Sequence, residues 1–97
     1  MSTKPIKLNK DVEDLFSAFS KIRTAQERKN FFLDLLTEEE LKDIARRLKV
    51  AKMLSDKIPF TKIEQETKMS STTIARISKW LKSGYGGMSI IIKKAKK

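Results

Sequence analysis

The chain has 97 residues, of which 39% are hydrophobic, so it can build the core of one small domain but not of two. Lys and Arg number 22 against 12 Asp and Glu, which gives a net charge of +10 at pH 7. Because the sequence has no Cys and no His, it has no disulfides or thiolate zinc sites and lacks the usual general base. We therefore expect no metal site and no enzymatic activity.

Apolar residues recur at steps of three and four through the first half of the chain, which predicts three amphipathic helices. These helices span about residues 10–22, 25–36 and 37–55. The predicted inner stripe of the third helix consists of Leu41, Ile44, Ala45, Leu48, Ala51 and Leu54. The first two helices carry more large apolar residues than a three-helix body requires, so part of their surface is expected to close against a second copy of the chain.

Polar residues at fixed spacings predict where the helices begin. Asn9 is the predicted N-cap of the first helix. Three Thr-x-x-Glu capping boxes are predicted at later helix starts, namely Thr24 with Glu27, Thr37 with Glu40, and Thr61 with Glu64.

Residues 61–82 have the spacing of a helix-turn-helix, in which a tight turn joins two short helices. The second helix is predicted over about 72–82, with Ser70 or Ser71 as its cap. The two helices are predicted to pack together through Ile63, Thr67, Ile74 and Ile77.

The outward face of that second helix carries the candidate base contacts. On a helical wheel, Thr72, Arg76, Lys79 and Ser83 fall opposite the apolar stripe, and Thr73 and Trp80 flank this face. Arg can bond guanine O6 and N7 together, while Thr can donate, accept or touch a thymine methyl. We predict that Thr72, Thr73, Arg76 and Lys79 read base edges, and that Trp80 is a packing anchor rather than a stacking platform.

Positive charge is concentrated in the second half of the chain. Residues 57–97 carry 10 basic and 2 acidic side chains, whereas residues 1–56 carry 12 and 10. A positive field attracts polyanions, and nucleic acid is the first candidate partner, followed by an anionic membrane. The alternative is that the basic surface serves only to keep the protein soluble. The predicted phosphate contacts are Lys57, Lys62, Lys68, Ser70, Ser71 and Lys82.

Glycines close the helical region, since the segment 84–87 ends the last clear helix and is expected to act as a hinge. We therefore predict an N-terminal arm over residues 1–9, a helical domain over 10–87 and a basic tail over 88–97. The lysine-rich end of this tail is expected to be mobile in solution.

Several segments in order carry a resemblance to a known family. They are 31–37, 40–41, 47–54 and 70–77, together with Ile63, Thr67, Leu81, Gly84, Gly86 and Gly87. Over about residues 12–87 the chain resembles the tryptophan-repressor-like family, particularly its YerC/YecD type. The resemblance implies an all-α fold of short helices with a C-terminal helix-turn-helix, whose N-terminal helices interlock with those of a twin subunit. It also implies transcriptional regulation by operator binding.

The chain departs from this family in its turn and in its effector pocket. The family commonly has Gly where Lys68 stands, and a positive φ at Lys68 would cost about 1 kcal/mol relative to Gly. In tryptophan-sensing members, the resemblance places the amino-acid pocket at Arg46 and Arg76. Ile77 and Trp80, however, stand where those members have glycine and serine. We expect that tryptophan is not the co-repressor and that the chain needs no cofactor.

The resulting prediction is a homodimeric, sequence-specific regulator of transcription, a repressor by resemblance, that binds double-stranded DNA at an inverted repeat. The alternative is a monomeric module, sigma-like or an adaptor, that uses the same helices on RNA or protein. No apolar run approaches the ~20 residues of a membrane span, and the start lacks the apolar segment of a signal peptide. We therefore expect a cytoplasmic protein with no membrane partner.

Overall fold

The computed structural model describes residues 7–96 and contains no strand in that range. Its six helices are α1 (Lys10–Phe19), α2 (Ala25–Leu35), α3 (Glu38–Ser55), α4 (Phe60–Thr67), α5 (Ser71–Ser83) and α6 (Gly87–Ala95). The predicted all-α class is confirmed. None of these helices is both long enough and apolar enough to cross a bilayer. Residues 1–6 of the predicted N-terminal arm and Lys97 of the predicted tail lie outside the described residues.

The chain divides into two compact units, and the division falls inside α3. In the N-terminal unit, α1 and α2 meet through three half-buried phenylalanines. The Phe19 ring lies edge-on to that of Phe31, with centroids 5.4 Å apart, and 5.7 Å from that of Phe32. None of residues 7–42 is fully buried. This unit therefore has an aromatic cluster but no closed core of its own.

The predicted caps of α1, α2 and α3 are confirmed by hydrogen bonds. The N–H groups of Val12, Glu27 and Glu40 donate to side-chain oxygens of Asn9, Thr24 and Thr37, at 2.9, 3.1 and 3.1 Å respectively. The two Glu side chains bond back to the Thr backbone, which completes both capping boxes. Helix α1 ends at Phe19, earlier than predicted, because the next three N–H groups bond three residues back rather than four.

The third predicted capping box, Thr61 with Glu64, is wrong. Helix α4 begins at Phe60, and its N-cap is Pro59, which makes no side-chain cap bond. The Pro59 carbonyl accepts from the N–H groups of Lys62 and Ile63, both at 3.1 Å. Because the helical bonding starts at Pro59, Thr61 already lies inside the first turn and cannot serve as the cap.

The C-terminal unit, described over residues 43–96, has a closed apolar core to which four helices contribute. Its buried members are Val50, Ala51, Met53, Ile63, Ile74, Ile77 and Ile92. Thr67 is buried beside them. The predicted packing of α4 on α5 through Ile63, Thr67, Ile74 and Ile77 is confirmed by the burial of all four residues.

The predicted inner stripe of α3 is correct only in its C-terminal half. Ala51 and its neighbour Val50 are fully buried and Met53 is 8% exposed, whereas Ile44 is 47% exposed and Ala45 is exposed. The core that buries α3 includes residues of α4, α5 and α6, and it reaches only the later turns of α3.

The described part of the predicted basic tail over 88–97 is mostly helical, because residues 88–95 belong to α6. Ile92 is 3% exposed and belongs to the core, and Met88, one turn earlier, packs against it. The ammonium group of Lys96 pairs with the carboxylate of Asp56, which follows α3. Helix α6 is therefore an integral part of the C-terminal unit.

Two glycines shape the connection between α5 and α6. The Gly84 N–H donates to the Trp80 carbonyl at 2.8 Å, and a Cβ at Gly84 would lie 2.3 Å from that carbonyl oxygen. Gly86, the N-cap of α6, has a φ of 88°, a left-handed conformation that favours glycine. The hydroxyl of Ser89 donates to the carbonyl of Leu81 at 3.1 Å and ties the start of α6 to α5.

Candidate nucleic-acid interface

The turn between α4 and α5 is held by local hydrogen bonds. The buried Thr67 hydroxyl donates to the Ile63 carbonyl at 2.7 Å and accepts from the Met69 N–H at 3.2 Å. Lys68 ends α4 in the left-handed conformation, with φ 62° and ψ 16°, and its N–H donates to the Glu64 carbonyl at 2.9 Å. The backbone of this lysine thus adopts the conformation for which glycine is usually selected.

The start of α5 is capped by Ser70, while Ser71 is the first residue of the helix. The Thr73 N–H donates to the Ser70 hydroxyl oxygen at 3.2 Å, and that hydroxyl donates to the Thr73 hydroxyl oxygen at 3.1 Å. Thr73 is half-buried. Because it is only half-exposed, Thr73 lies at the margin of the outward face rather than at its centre. Its hydroxyl oxygen also accepts a hydrogen bond within the cap.

Three of the four predicted base contacts share one open groove. Thr72, Arg76 and Lys79 are spaced by about one helical turn, so they share one face of α5. All three are exposed, because this face lies opposite the buried Ile74 and Ile77. The groove has a volume of about 600 Å³, and its lining consists of Phe60, Ser71, Thr72, Ala75, Arg76 and Lys79. It combines hydroxyl groups, one guanidinium and one ammonium with no acidic side chain, as contact with polyanionic DNA requires.

Phe60 and Ala75 are groove residues that the sequence analysis missed. Phe60 is the first residue of α4 and is 40% exposed. The predicted capping box made Thr61 the N-cap, so Phe60 was placed before the helix and was not considered among the residues of its outward face. Ala75 precedes Arg76 and was passed over because it carries no polar group. The signal that could have found Phe60 is the preceding proline, since Pro before a helix often marks its start.

The four predicted phosphate-binding lysines are exposed, and none forms an ion pair with another part of residues 7–96. Lys57 and Lys82 border one cavity of about 290 Å³ beside α5. Lys62 lies in the first turn of α4, and Lys68 lies at its end. Their ammonium groups are therefore available to a polyanion.

The residues of the candidate effector pocket lie in different surroundings. Ile77 is 1% exposed and is part of the core. Arg76 lines the groove, whereas Arg46 is exposed on α3. Trp80 is 47% exposed and borders a separate cavity of about 290 Å³ formed with residues 84–89.

Comparison with known proteins gives three matches of high coverage. A family model described as Trp repressor protein matches residues 10–96, a range that includes all six helices. The uncharacterized protein YerC of Bacillus subtilis (strain 168) is 33% identical over 87 residues, which are 90% of this chain and 84% of YerC. The crystal structure of a proposed Trp repressor from Staphylococcus aureus superposes with a TM-score of 0.80 at 30% identity, covering 92% of this chain and 89% of that chain.

Proposed function

Because the chain belongs to the Trp repressor family, we propose that it is a sequence-specific transcription repressor that binds double-stranded DNA as a cytoplasmic homodimer. The observation that supports this best is the division of α5 into two faces. Thr72, Arg76 and Lys79 are exposed on one face, while Ile74 and Ile77 on the other are in the core. Helix α5 is thus held from behind with its outer face free, as a helix in the major groove must be.

The groove residues have complementary chemistry for base edges. Arg76 bonds guanine O6 and N7, and Thr72, near the start of α5, approaches a base closely with its hydroxyl or methyl group. Lys79 reaches a base or a phosphate, and Thr73 contacts a base edge from the margin of the face. Ser70 and Ser71, at the N-terminus of α5, lie where backbone N–H groups and the helix dipole favour a phosphate.

Phosphate contacts make a prediction about salt. If Lys57, Lys62, Lys68 and Lys82 of each subunit neutralise about four phosphates, the dimer releases about eight counterions. The logarithm of the binding constant should then fall against the logarithm of salt concentration with a slope near −7. Fluorescence anisotropy of a labelled duplex across a salt series measures this slope. A slope between 0 and about −2 would contradict the proposed phosphate contacts.

Lys68→Gly should change stability and DNA affinity in opposite directions. Glycine relieves the left-handed backbone at this position, so the free energy of unfolding should rise by up to about 1 kcal/mol. Loss of the ammonium group should weaken DNA binding and make the salt slope of the dimer shallower by about 2. Urea unfolding and anisotropy measure the two effects.

Lys62→Ala is the matched control for this prediction, because Lys62 lies inside α4 with an ordinary helical backbone. It should give the same change in salt slope without the stabilisation from a relieved left-handed residue. A Lys68→Gly protein that is less stable than the wild type would show that the backbone at Lys68 is not strained.

The homodimer is proposed from the apolar surface of the N-terminal unit. Phe16, Leu33 and Leu35 are 53%, 52% and 50% exposed, in a unit that has no closed core. A second subunit that covers these side chains would supply the missing core, and a two-fold dimer would present two copies of α5. The expected spacing of the two reading helices is about 34 Å, or one turn of DNA. Size-exclusion chromatography with light scattering should give a dimer, and a monomer would favour the sigma-like or adaptor alternative.

We also propose that free tryptophan is not an effector. Ile77 already fills its site in the core, and Trp80 occupies a neighbouring position on α5. Saturating L-tryptophan should therefore leave the affinity for the operator unchanged within about twofold. A tightening of tenfold or more, measured by anisotropy at fixed salt, would show that a tryptophan pocket forms.

The proposed function is tested by selecting fragments that the protein retains from random duplex DNA. We expect an enriched inverted repeat whose half-sites are centred about 10 base pairs apart. A retained pool without any enriched sequence would leave a nonspecific nucleic-acid binder and would contradict the assignment.

A further inference from the structure

The groove proposed to contact DNA has an apolar side that the polar base contacts do not use. Phe60 and Ala75 line it together with Thr72, Arg76 and Lys79. Ala75 is exposed on α5, and Phe60 is 40% exposed at the first position of α4. The two helices of the helix-turn-helix therefore each contribute one apolar surface to the same groove.

The exposure of Phe60 is not explained by the core of the C-terminal unit. On the same helix, Ile63 is 0% exposed and Thr67 is 8% exposed, and these two residues form the inward face of α4. Phe60 is neither in the core nor among the residues packed against it. Phe60 borders two cavities, one shared with Leu54, Ile58 and Leu81 and the other the groove shared with Ala75 and Arg76. Part of its side chain is therefore accessible from the groove, where an apolar group of the DNA can contact it.

We propose that Phe60 and Ala75 contact the C5-methyl group of a thymine, and thereby specify thymine at one position of each half-site. In the major groove, thymine is the unmodified base that presents a methyl group at its edge, and alanine and phenylalanine are side chains that contact it. The same position is unfavourable for cytosine, because an apolar ring beside its N4 amino group would leave a donor without a partner. This inference rests on the proposed function, since it requires α5 to lie in the major groove.

The experiment uses the full-length protein and the duplex obtained by selection, with each thymine of the half-site replaced in turn by uracil. This replacement removes the methyl group and leaves every hydrogen-bonding group in place. Burial of one methyl group predicts a loss of affinity of about fourfold at one position, or about fifteenfold when both half-sites are substituted. Thymines that contact neither this apolar pair nor Thr72 should respond by less than twofold.

Protein variants assign the effect to its side chain. Phe60→Ala should lose most of the discrimination between the thymine and uracil duplexes, because only Ala75 would still contact the methyl group, whereas Phe60→Leu should retain most of it. Lys79→Ala is the matched control, because Lys79 lines the same groove but offers no methyl contact. It should weaken binding to both duplexes while keeping their ratio. Far-UV circular dichroism checks that each variant keeps its helices.

The outcomes separate this inference from the proposed function. A protein that selects a specific operator but responds to no uracil substitution would overturn the inference and leave the proposed function standing. Full discrimination in Phe60→Ala would likewise overturn the role of Phe60. A protein that selects no duplex sequence would overturn both.

Discussion

Arg76→Ala should lower the affinity for the selected operator by about 5- to 150-fold per half-site, which corresponds to 1–3 kcal/mol for a lost bidentate base contact. Arg76 is exposed in the groove of α5 and forms no ion pair among residues 7–96, so its removal should leave the fold intact. The affinity for a scrambled duplex should change little, because it depends on phosphate contacts. Anisotropy titrations on both duplexes measure the two values.

The control for this prediction is Lys82→Ala, which removes a proposed phosphate contact from the same helix. It should weaken binding to operator and scrambled duplex by the same factor, and thus preserve the specificity ratio. If Arg76→Ala bound both duplexes as the wild type does, Arg76 would have no part in reading the operator.

Ile63→Ala should lower the free energy of unfolding of the C-terminal unit by about 2–5 kcal/mol. Ile63 is 0% exposed and is the residue by which α4 enters the core with Ile74 and Ile77. The truncation removes buried methyl groups and leaves a cavity, and both effects destabilise the folded state. Urea unfolding followed by circular dichroism measures the change.

Thr61→Ala, on the same helix, is the comparison variant. Thr61 is exposed and is not the N-cap, so its replacement should change stability by less than about 0.5 kcal/mol. A loss of stability near 1 kcal/mol would show that Thr61 does cap α4, contrary to the hydrogen bonds of the structure. A small effect of Ile63→Ala would mean that α4 is held by contacts other than this core.

Local signals in the sequence were sufficient to predict most of the helices and the helix-turn-helix. Asn9 and the boxes at Thr24 and Thr37 were recognisable because a cap is a contact between residues three apart. The apolar pairs on α4 and α5 were recognisable because their spacing is helical. These features require no knowledge of distant contacts, so periodicity alone located the outward face of α5.

The remaining features depend on packing between distant segments. Helix α6 is only nine residues long. It is held by Ile92 in the core and by the Lys96–Asp56 ion pair, which joins residues 40 apart in sequence. Phe60 is the first residue of α4 because Pro59, not Thr61, is the N-cap. The exposure of Ile44 likewise depends on how far the core extends along α3. Apart from the proline before Phe60, no local pattern contains this information.

The proposed contact between Arg76 of α5 and a guanine in the major groove is tested most directly by 7-deazaguanine. This base lacks the N7 acceptor but keeps O6 and the Watson–Crick edge, so it removes half of a bidentate arginine contact. With the wild-type protein, one substituted guanine per half-site should weaken binding by about tenfold, and with Arg76→Ala the same substitution should have no effect. Equal weakening of both proteins, or no sensitive guanine in the selected site, would show that Arg76 does not contact a guanine in this way.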